Sequence, residues 1–105
     1  MIENLESIRN GRARAEILKL VRSRHAAQKS RMDHVEMWYM LRGIGIDVGE
    51  NDLLTFLQDL EVMNCIQFNS NRNRLTNRIE ISQIHLTAHG LAMIEGRIKD
   101  DAVLF

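Results

Sequence analysis

The 105-residue sequence has no proline, a single cysteine (Cys65) and few aromatic side chains. One cysteine excludes a disulfide framework within the chain and fits a reducing compartment. No apolar run approaches the roughly 18–20 residues that a membrane-spanning helix requires, and residues 1–12 carry no apolar segment typical of a secretory signal. We therefore expect a soluble, cytoplasmic protein with no membrane contact.

The net charge is zero, but the charges are unevenly distributed. Residues 1–31 contain eight Lys and Arg against three Asp and Glu, a balance of +5. Residues 32–65 contain one Arg against seven acids (−6), and residues 66–105 contain five basic against four acidic residues (+1). A domain that binds nucleic acid by overall charge is usually basic, so such binding here requires local patches. The basic and acidic segments can also attract each other, within one chain or between two.

The first third of the chain has the periodicity of amphipathic helices. Residues 2–9 predict a short helical arm, which Gly11 interrupts or bends. The next helix has an apolar stripe formed by Ala13, Ile17, Leu20 and Val21. Its opposite face is basic, with Arg12, Arg14, Lys19, Arg22 and Arg24. We interpret this face as exposed surface or half of a dimer seam, and the polar segment 28–32 as a loop.

Two further helices are predicted in the acidic middle segment. Asp33 is placed to cap the first of them, and Glu36 completes a capping-box pattern. Three of its residues are expected to pack in or near the core: Trp38, Tyr39 and Met40. The next helix runs from about Glu50 to Asn64, an end residue that tolerates the left-handed conformation. Its apolar stripe consists of Leu53, Phe56, Leu57, Leu60 and Met63.

The period then changes to the alternation of β-strands. The segments CIQFN and RIEISQIHL flank the polar stretch NSNRNRLTNR, a pattern typical of a β-hairpin with a long tip. A phase slip at Ser82 and Gln83 indicates a bulge or a bend. Thr87 is placed to cap a last helix, TAHGLAMIEGRI, which Gly90 weakens without forbidding.

This order of elements predicts an α+β fold of the winged helix-turn-helix type. It has a three-helix core, a β-hairpin wing and a C-terminal helix. We expect the winged-helix domain at residues 12–98, an N-terminal arm at 1–11 and a C-terminal tail at 99–105.

The segments ILKLV, DLLTFLQDLEVMNCIQF and IHLTAHGLAMIEGRI resemble ArsR-like winged-helix proteins, in particular small proteins encoded by Mu-like prophages. The resemblance covers about residues 12–103 and includes an LT-x-x-G helix start at Leu86, Thr87 and Gly90. It implies a DNA-binding regulator. The chain departs from the pattern at the start of the third helix, where DNA-reading members often carry Ser, Arg or Gln. This chain has Gly49, Glu50, Asn51 and Asp52 there.

The first functional hypothesis is therefore a homodimeric transcriptional regulator of phage or prophage origin that binds duplex DNA. The wing would contact phosphates or a minor groove through Arg72, Asn73, Arg74 and Arg78. The third helix would face the major groove with Asn51, Thr55 and Gln58. Against this, the helix dipole alone explains Glu50 and Asp52, and an Asn-rich tip needs no ligand.

The alternative hypothesis is a winged-helix protein–protein interaction module that does not bind DNA. In it, the acidic face of residues 50–61 meets a basic partner or a second copy. A third hypothesis is a metal- or redox-sensing ArsR-like repressor. His85 and His89 have a metal-ligand spacing for a helix, but a cap at Thr87 places His85 on the strand. Cys65 is expected to be a buried structural thiol. We expect no enzyme, no cofactor and no metal site, because no phosphate-binding loop, ligand set or activated nucleophile occurs.

Overall fold

The structure, a computed structural model, describes residues 2–26 and 32–105. Within these residues it contains four α-helices and one two-stranded antiparallel hairpin. Their order is α1 (Ile2–Ala26), α2 (His34–Gly43), α3 (Glu50–Val62), β1 (Ile66–Arg72), β2 (Ile79–Leu86) and α4 (Ala88–Ile94). The predicted α+β fold class is confirmed, and the element order is the one expected of a winged helix-turn-helix. The predicted loop at residues 28–32 lies, except for Met32, outside the described residues.

Helix α1 is continuous over 25 residues and passes through Gly11. The interruption predicted at Gly11 was therefore wrong. The glycine has another role, because the Leu104 N–H donates to the Gly11 carbonyl at 3.0 Å. A Cβ on Gly11 would lie only 2.8 Å from Leu104 Cγ, and Val103 beside it is buried. Part of the C-terminal segment 99–105 is thus packed against α1.

The two helix caps predicted from the sequence are formed. Asp33 Oδ1 accepts a hydrogen bond from the Glu36 N–H at 2.8 Å at the start of α2. Thr87 Oγ1 accepts from the Gly90 N–H at 3.0 Å at the start of α4. Each cap satisfies one of the free N–H groups of a first helical turn.

The ends of α3 and α4 follow from residues with a left-handed backbone. Helix α3 ends at Val62, two residues before the predicted end at Asn64, and Asn64 has the left-handed backbone, with φ +62°. Helix α4 ends at Ile94, earlier than the predicted helix TAHGLAMIEGRI, whose last residue is Ile98. The reason is Gly96, whose φ of +80° is incompatible with a continuing right-handed helix.

A single core is shared by the four helices and the hairpin. The α3 stripe predicted from the sequence is buried at Leu53, Phe56, Leu57 and Leu60, and half-buried at Met63. On α2 the expectation was partly wrong, because Tyr39 is 65% exposed. Trp38 is half-buried, and its indole N–H donates to the Val48 carbonyl at 2.8 Å.

A bulge in β2 lets the hairpin bury two residues that simple alternation would place on opposite faces. The register runs from Arg72 opposite Ile79 to Ile66 opposite Leu86, and it shifts by one residue between Gln67 and Asn69. Gln83 lies at this shift with φ +57°, which confirms the predicted slip. Because of the extra residue, Ile81 and Ile84 both point into the core.

Met32, two residues before α2, extends the hairpin on its second edge. Met32 forms an isolated antiparallel bridge with Ile84, and the Ile84 N–H donates to the Met32 carbonyl at 3.0 Å. Met32 is itself buried. The bridge joins the start of α2 to the hairpin and so fixes the wing relative to the helices.

The LT-x-x-G element joins the start of α4 to the end of α3. The Thr87 hydroxyl donates to the Asn64 carbonyl, and the Thr87 N–H donates to the Cys65 carbonyl at 3.1 Å. A Cβ on Gly90 would lie 2.1 Å from the Cys65 carbonyl oxygen. Glycine is required at position 90 because two backbones are in contact there.

Candidate nucleic-acid interface

The hairpin tip is a turn organised by Asn73. The Asn73 N–H donates to the Arg78 carbonyl at 2.8 Å, and the Asn73 carbonyl accepts from the Asn77 N–H at 2.7 Å. Its side-chain oxygen accepts from the N–H groups of Leu75 at 2.9 Å and Thr76 at 3.2 Å. This arrangement is typical of an Asx turn. The hydrogen bonds of Asn73 therefore stabilise the backbone of the tip.

The three predicted arginines of the wing, Arg72, Arg74 and Arg78, are all exposed. The Arg72 guanidinium donates to the side-chain oxygen of Asn77 at 3.2 Å, and Asn77 itself is left-handed with φ +58°. Arg74 makes no ion pair within the part of the chain that the structure describes. The wing thus presents positive charge to solvent on a defined backbone.

The outer face of α3 carries the other predicted contact residues. Asn51, Thr55 and Gln58 are exposed, and their spacing of four and three residues places them on one face. The Thr55 hydroxyl donates to the Asn51 carbonyl at 3.1 Å, so it is already engaged within the helix. The side-chain amides of Asn51 and Gln58 are better suited to recognise a base.

A groove of about 740 Å³ lies between the first turn of α3 and the end of the hairpin next to its tip. Asn51 and Asp52 line one wall, and Arg72 and Arg78 line the other. The structure thus brings together three of the predicted contact residues, one on α3 and two on the wing. Asn73, Arg74, Thr55 and Gln58 do not line this groove.

Glu50, the first acid of α3, has one partner on α2 and a second, more distant one in the hairpin connection. Its Oε1 lies 3.2 Å from His34 Nε2, and its Oε2 lies 4.0 Å from Arg78 Nη1. A carboxylate only accepts hydrogen bonds, so the His34 proton must lie on Nε2 for this bond. The neutral ring then accepts at Nδ1 from the Ile81 N–H, at 3.1 Å. Glu50 is therefore a structural link between α2, α3 and the wing.

His34 was not predicted as a functional or core residue. It is the one polar residue among the buried side chains of the described residues, with 4% exposure. A sequence signal for its burial exists, because His34, Met37 and Leu41 follow the three- and four-residue spacing of a helical core stripe. All three are buried on α2.

Two other acids of the middle segment are paired with arginines of α1. Arg14 Nη2 lies 3.1 Å from Asp59 Oδ2, and Arg24 pairs with Glu36. The expected attraction between the basic and acidic segments is thus present within one chain. The acids of residues 50–61 without an ion pair among the described residues are Asp52 and Glu61. The acidic face is smaller than the sequence indicates.

The cysteine and the remaining histidines lie apart from the wing groove. Cys65 is fully buried, as predicted, and its Sγ lies 3.9 Å from Met93 Sδ. Burial, with the Asp100 carboxylate as a smaller cause, raises the pKa of the Cys65 thiol. The thiol is therefore protonated and weakly nucleophilic at neutral pH. His85 lies on β2 and His89 on α4, and the described residues contain no metal-binding group of three or more His, Cys, Asp or Glu.

Comparisons of the chain with protein-family models, curated proteins and solved structures gave no match. The resemblance to ArsR-like winged-helix proteins of Mu-like prophages therefore stays a prediction. None of the helices in the described ranges combines the length and apolarity needed to cross a bilayer.

Proposed function

We propose that this chain binds duplex DNA through its wing and the first turns of α3, and acts as a transcriptional regulator of phage or prophage origin. The observation that carries the proposal is the groove in which Arg72 and Arg78 face Asn51. Cationic side chains on phosphates position a protein on DNA, and amides on base edges specify the sequence. The groove offers both kinds of group within one surface.

The acidic residues of α3 repel DNA phosphates less than their number indicates. Glu50 accepts a hydrogen bond from His34 and lies 4.0 Å from the Arg78 guanidinium, and Asp59 is paired with Arg14. Asp52 is exposed beside the groove, where a carboxylate can accept from the N4 amino group of cytosine. Binding to phosphate then depends on the wing, which contains three arginines and one acid, Glu80, whose carboxylate accepts from Asn73.

Three parts of the proposal rest on the sequence resemblance: the regulatory role, the prophage origin and the homodimer. A symmetric dimer would place two wings on successive half-sites about 34–36 Å apart. No catalytic step is part of the proposal.

The proposal is tested by the salt dependence of binding to a duplex of random sequence. Each phosphate contact contributes about 0.9 to the slope of log K against log salt. Changing Arg72, Arg74 and Arg78 together to Gln is expected to lower that slope by up to about 3. Gln retains a donor near Asn77, so the turn of the wing is preserved.

The matched control changes three exposed cations of α1, namely Arg12, Lys19 and Arg22, to Gln. The two variants have the same net charge, so a difference between them isolates the wing. If the salt slope falls equally in both variants, the effect comes from overall charge and not from the wing. Failure of the unmodified chain to bind at low salt would reject DNA binding and favour the alternative, a protein-interaction module that uses the exposed acids Asp52 and Glu61.

A further inference from the structure

Leu75 is the most exposed of the large apolar side chains in the described residues, at 97%. It lies at the outer end of the wing, in the six-residue connection between Arg72 and Ile79. Single exposed leucines are common on protein surfaces. The position of this one, at the extremity of a basic hairpin, distinguishes it from a leucine on a helix face.

The backbone that carries Leu75 is fixed before any partner is bound. The Leu75 N–H donates to the Asn73 side-chain oxygen at 2.9 Å, and the Asn73 amide nitrogen donates to Glu80 at 3.0 Å. The hydrogen bond from the Asn77 N–H to the Asn73 carbonyl closes the turn that contains Leu75. A preordered tip loses little backbone entropy on binding, which favours a contact through its exposed side chain.

The surroundings of Leu75 combine an apolar centre with a cationic rim. Arg74 precedes it directly, Arg72 is the last residue of β1, and Arg78 is the last residue of the connection, directly before β2. The surface that matches this pattern is anionic at its edges and less polar inside. The minor groove of duplex DNA has this pattern, because phosphates border a cleft about 6 Å wide.

We infer that Leu75 is an apolar wedge that enters the minor groove and partly unstacks one base step, while the wing arginines contact the flanking phosphates. This inference rests on the proposed DNA binding and adds to it a shape-dependent preference. Wedge residues kink the duplex at the step they enter. Pyrimidine–purine steps such as TA unstack most easily, so the wing prefers a TA step over a G·C-rich one.

The test uses the full chain and short duplexes that contain one central TA step, labelled at both ends for energy transfer. Leu75→Ala is expected to weaken binding about tenfold, the value of burying one leucine side chain. It is also expected to abolish the DNA bend and to leave the salt slope unchanged. Leu75→Met keeps an apolar wedge and is expected to retain both the binding affinity and the DNA bend. Val62→Ala, at a position on α3 that is 86% exposed, is the control and is expected to change nothing.

The outcomes separate this inference from the proposed function. If the unmodified chain binds and bends DNA and Leu75→Ala loses the bend, the wedge is supported. If Leu75→Ala binds and bends DNA like the unmodified chain, the wedge is rejected and DNA binding stands. If the unmodified chain binds no duplex, both are rejected. An effect of Leu75→Ala confined to vesicles of anionic phospholipid would also overturn the wedge.

Discussion

His34 joins polar groups of three elements where α2 and α3 pack beside the hairpin. It accepts from the Ile81 N–H on β2 and donates to Glu50 at the start of α3, although it belongs to α2. A buried donor or acceptor that loses its partner costs more than the bond itself contributes. The geometry of the wing groove therefore depends on a residue that does not line the groove itself.

Replacing His34 by Ala is expected to lower the free energy of unfolding by about 2–4 kcal/mol, since it leaves a cavity and an unpaired Ile81 N–H. Urea denaturation measures the loss. His85→Ala removes the same kind of side chain from a half-exposed position on β2 and is expected to change stability by less than about 0.5 kcal/mol. Similar losses in both variants would contradict the structural role given to His34.

At the scale of elements, the junction of α3, β1 and α4 depends on close backbone contact at Gly90. Gly90→Ala would bring a methyl group against the Cys65 carbonyl, which cannot move without displacing the first residue of the hairpin. We expect a loss of about 2–3 kcal/mol in urea denaturation, the usual effect of overpacking combined with backbone shifts. Thr87 and its cap would be displaced with it.

The matched control for Gly90 is Gly43→Ala at the last residue of α2. A Cβ at Gly43 meets no atom within 4 Å, and alanine favours helix by up to about 1 kcal/mol relative to glycine. The control is therefore expected to be neutral or stabilising. A Gly90→Ala variant as stable as Gly43→Ala would show that the contact at Cys65 relaxes easily.

The predictions from the sequence that succeeded relied on local signals. The caps at Asp33 and Thr87, the α3 stripe and the slip at Gln83 each depend on residues within a few positions of one another. The Met32 bridge and the contact of Leu104 with Gly11 depend on residues far apart in the chain, which periodicity does not relate. The candidate interface shows the same difference between local and distant features. Exposure of the wing arginines was predictable, whereas the pairing of Glu50 with His34 required the folded chain.

At the scale of the whole molecule, the first turns of α1 extend beyond the core. The described side chains of residues 5–9 are all exposed, and burial begins at Gly11. Helical segments this short are marginal in water unless an apolar face is packed. Leu5 and Ile8 form such a face, being three residues apart and 56% and 41% exposed. The proposed homodimer gives this face a partner.

We therefore expect the chain to be a dimer in light scattering coupled to gel filtration, and Leu5→Glu with Ile8→Glu to make it monomeric. Two carboxylates in an apolar seam lose hydration without gaining partners, so association should weaken by at least about a hundredfold. Leu75→Glu, which adds one charge at the wing tip, is the control and should remain dimeric. If the unmodified chain is a monomer at high concentration, the α1 seam is wrong. If only the α1 variant is monomeric and its salt slope on DNA falls by half, each copy contributes one wing to the bound duplex.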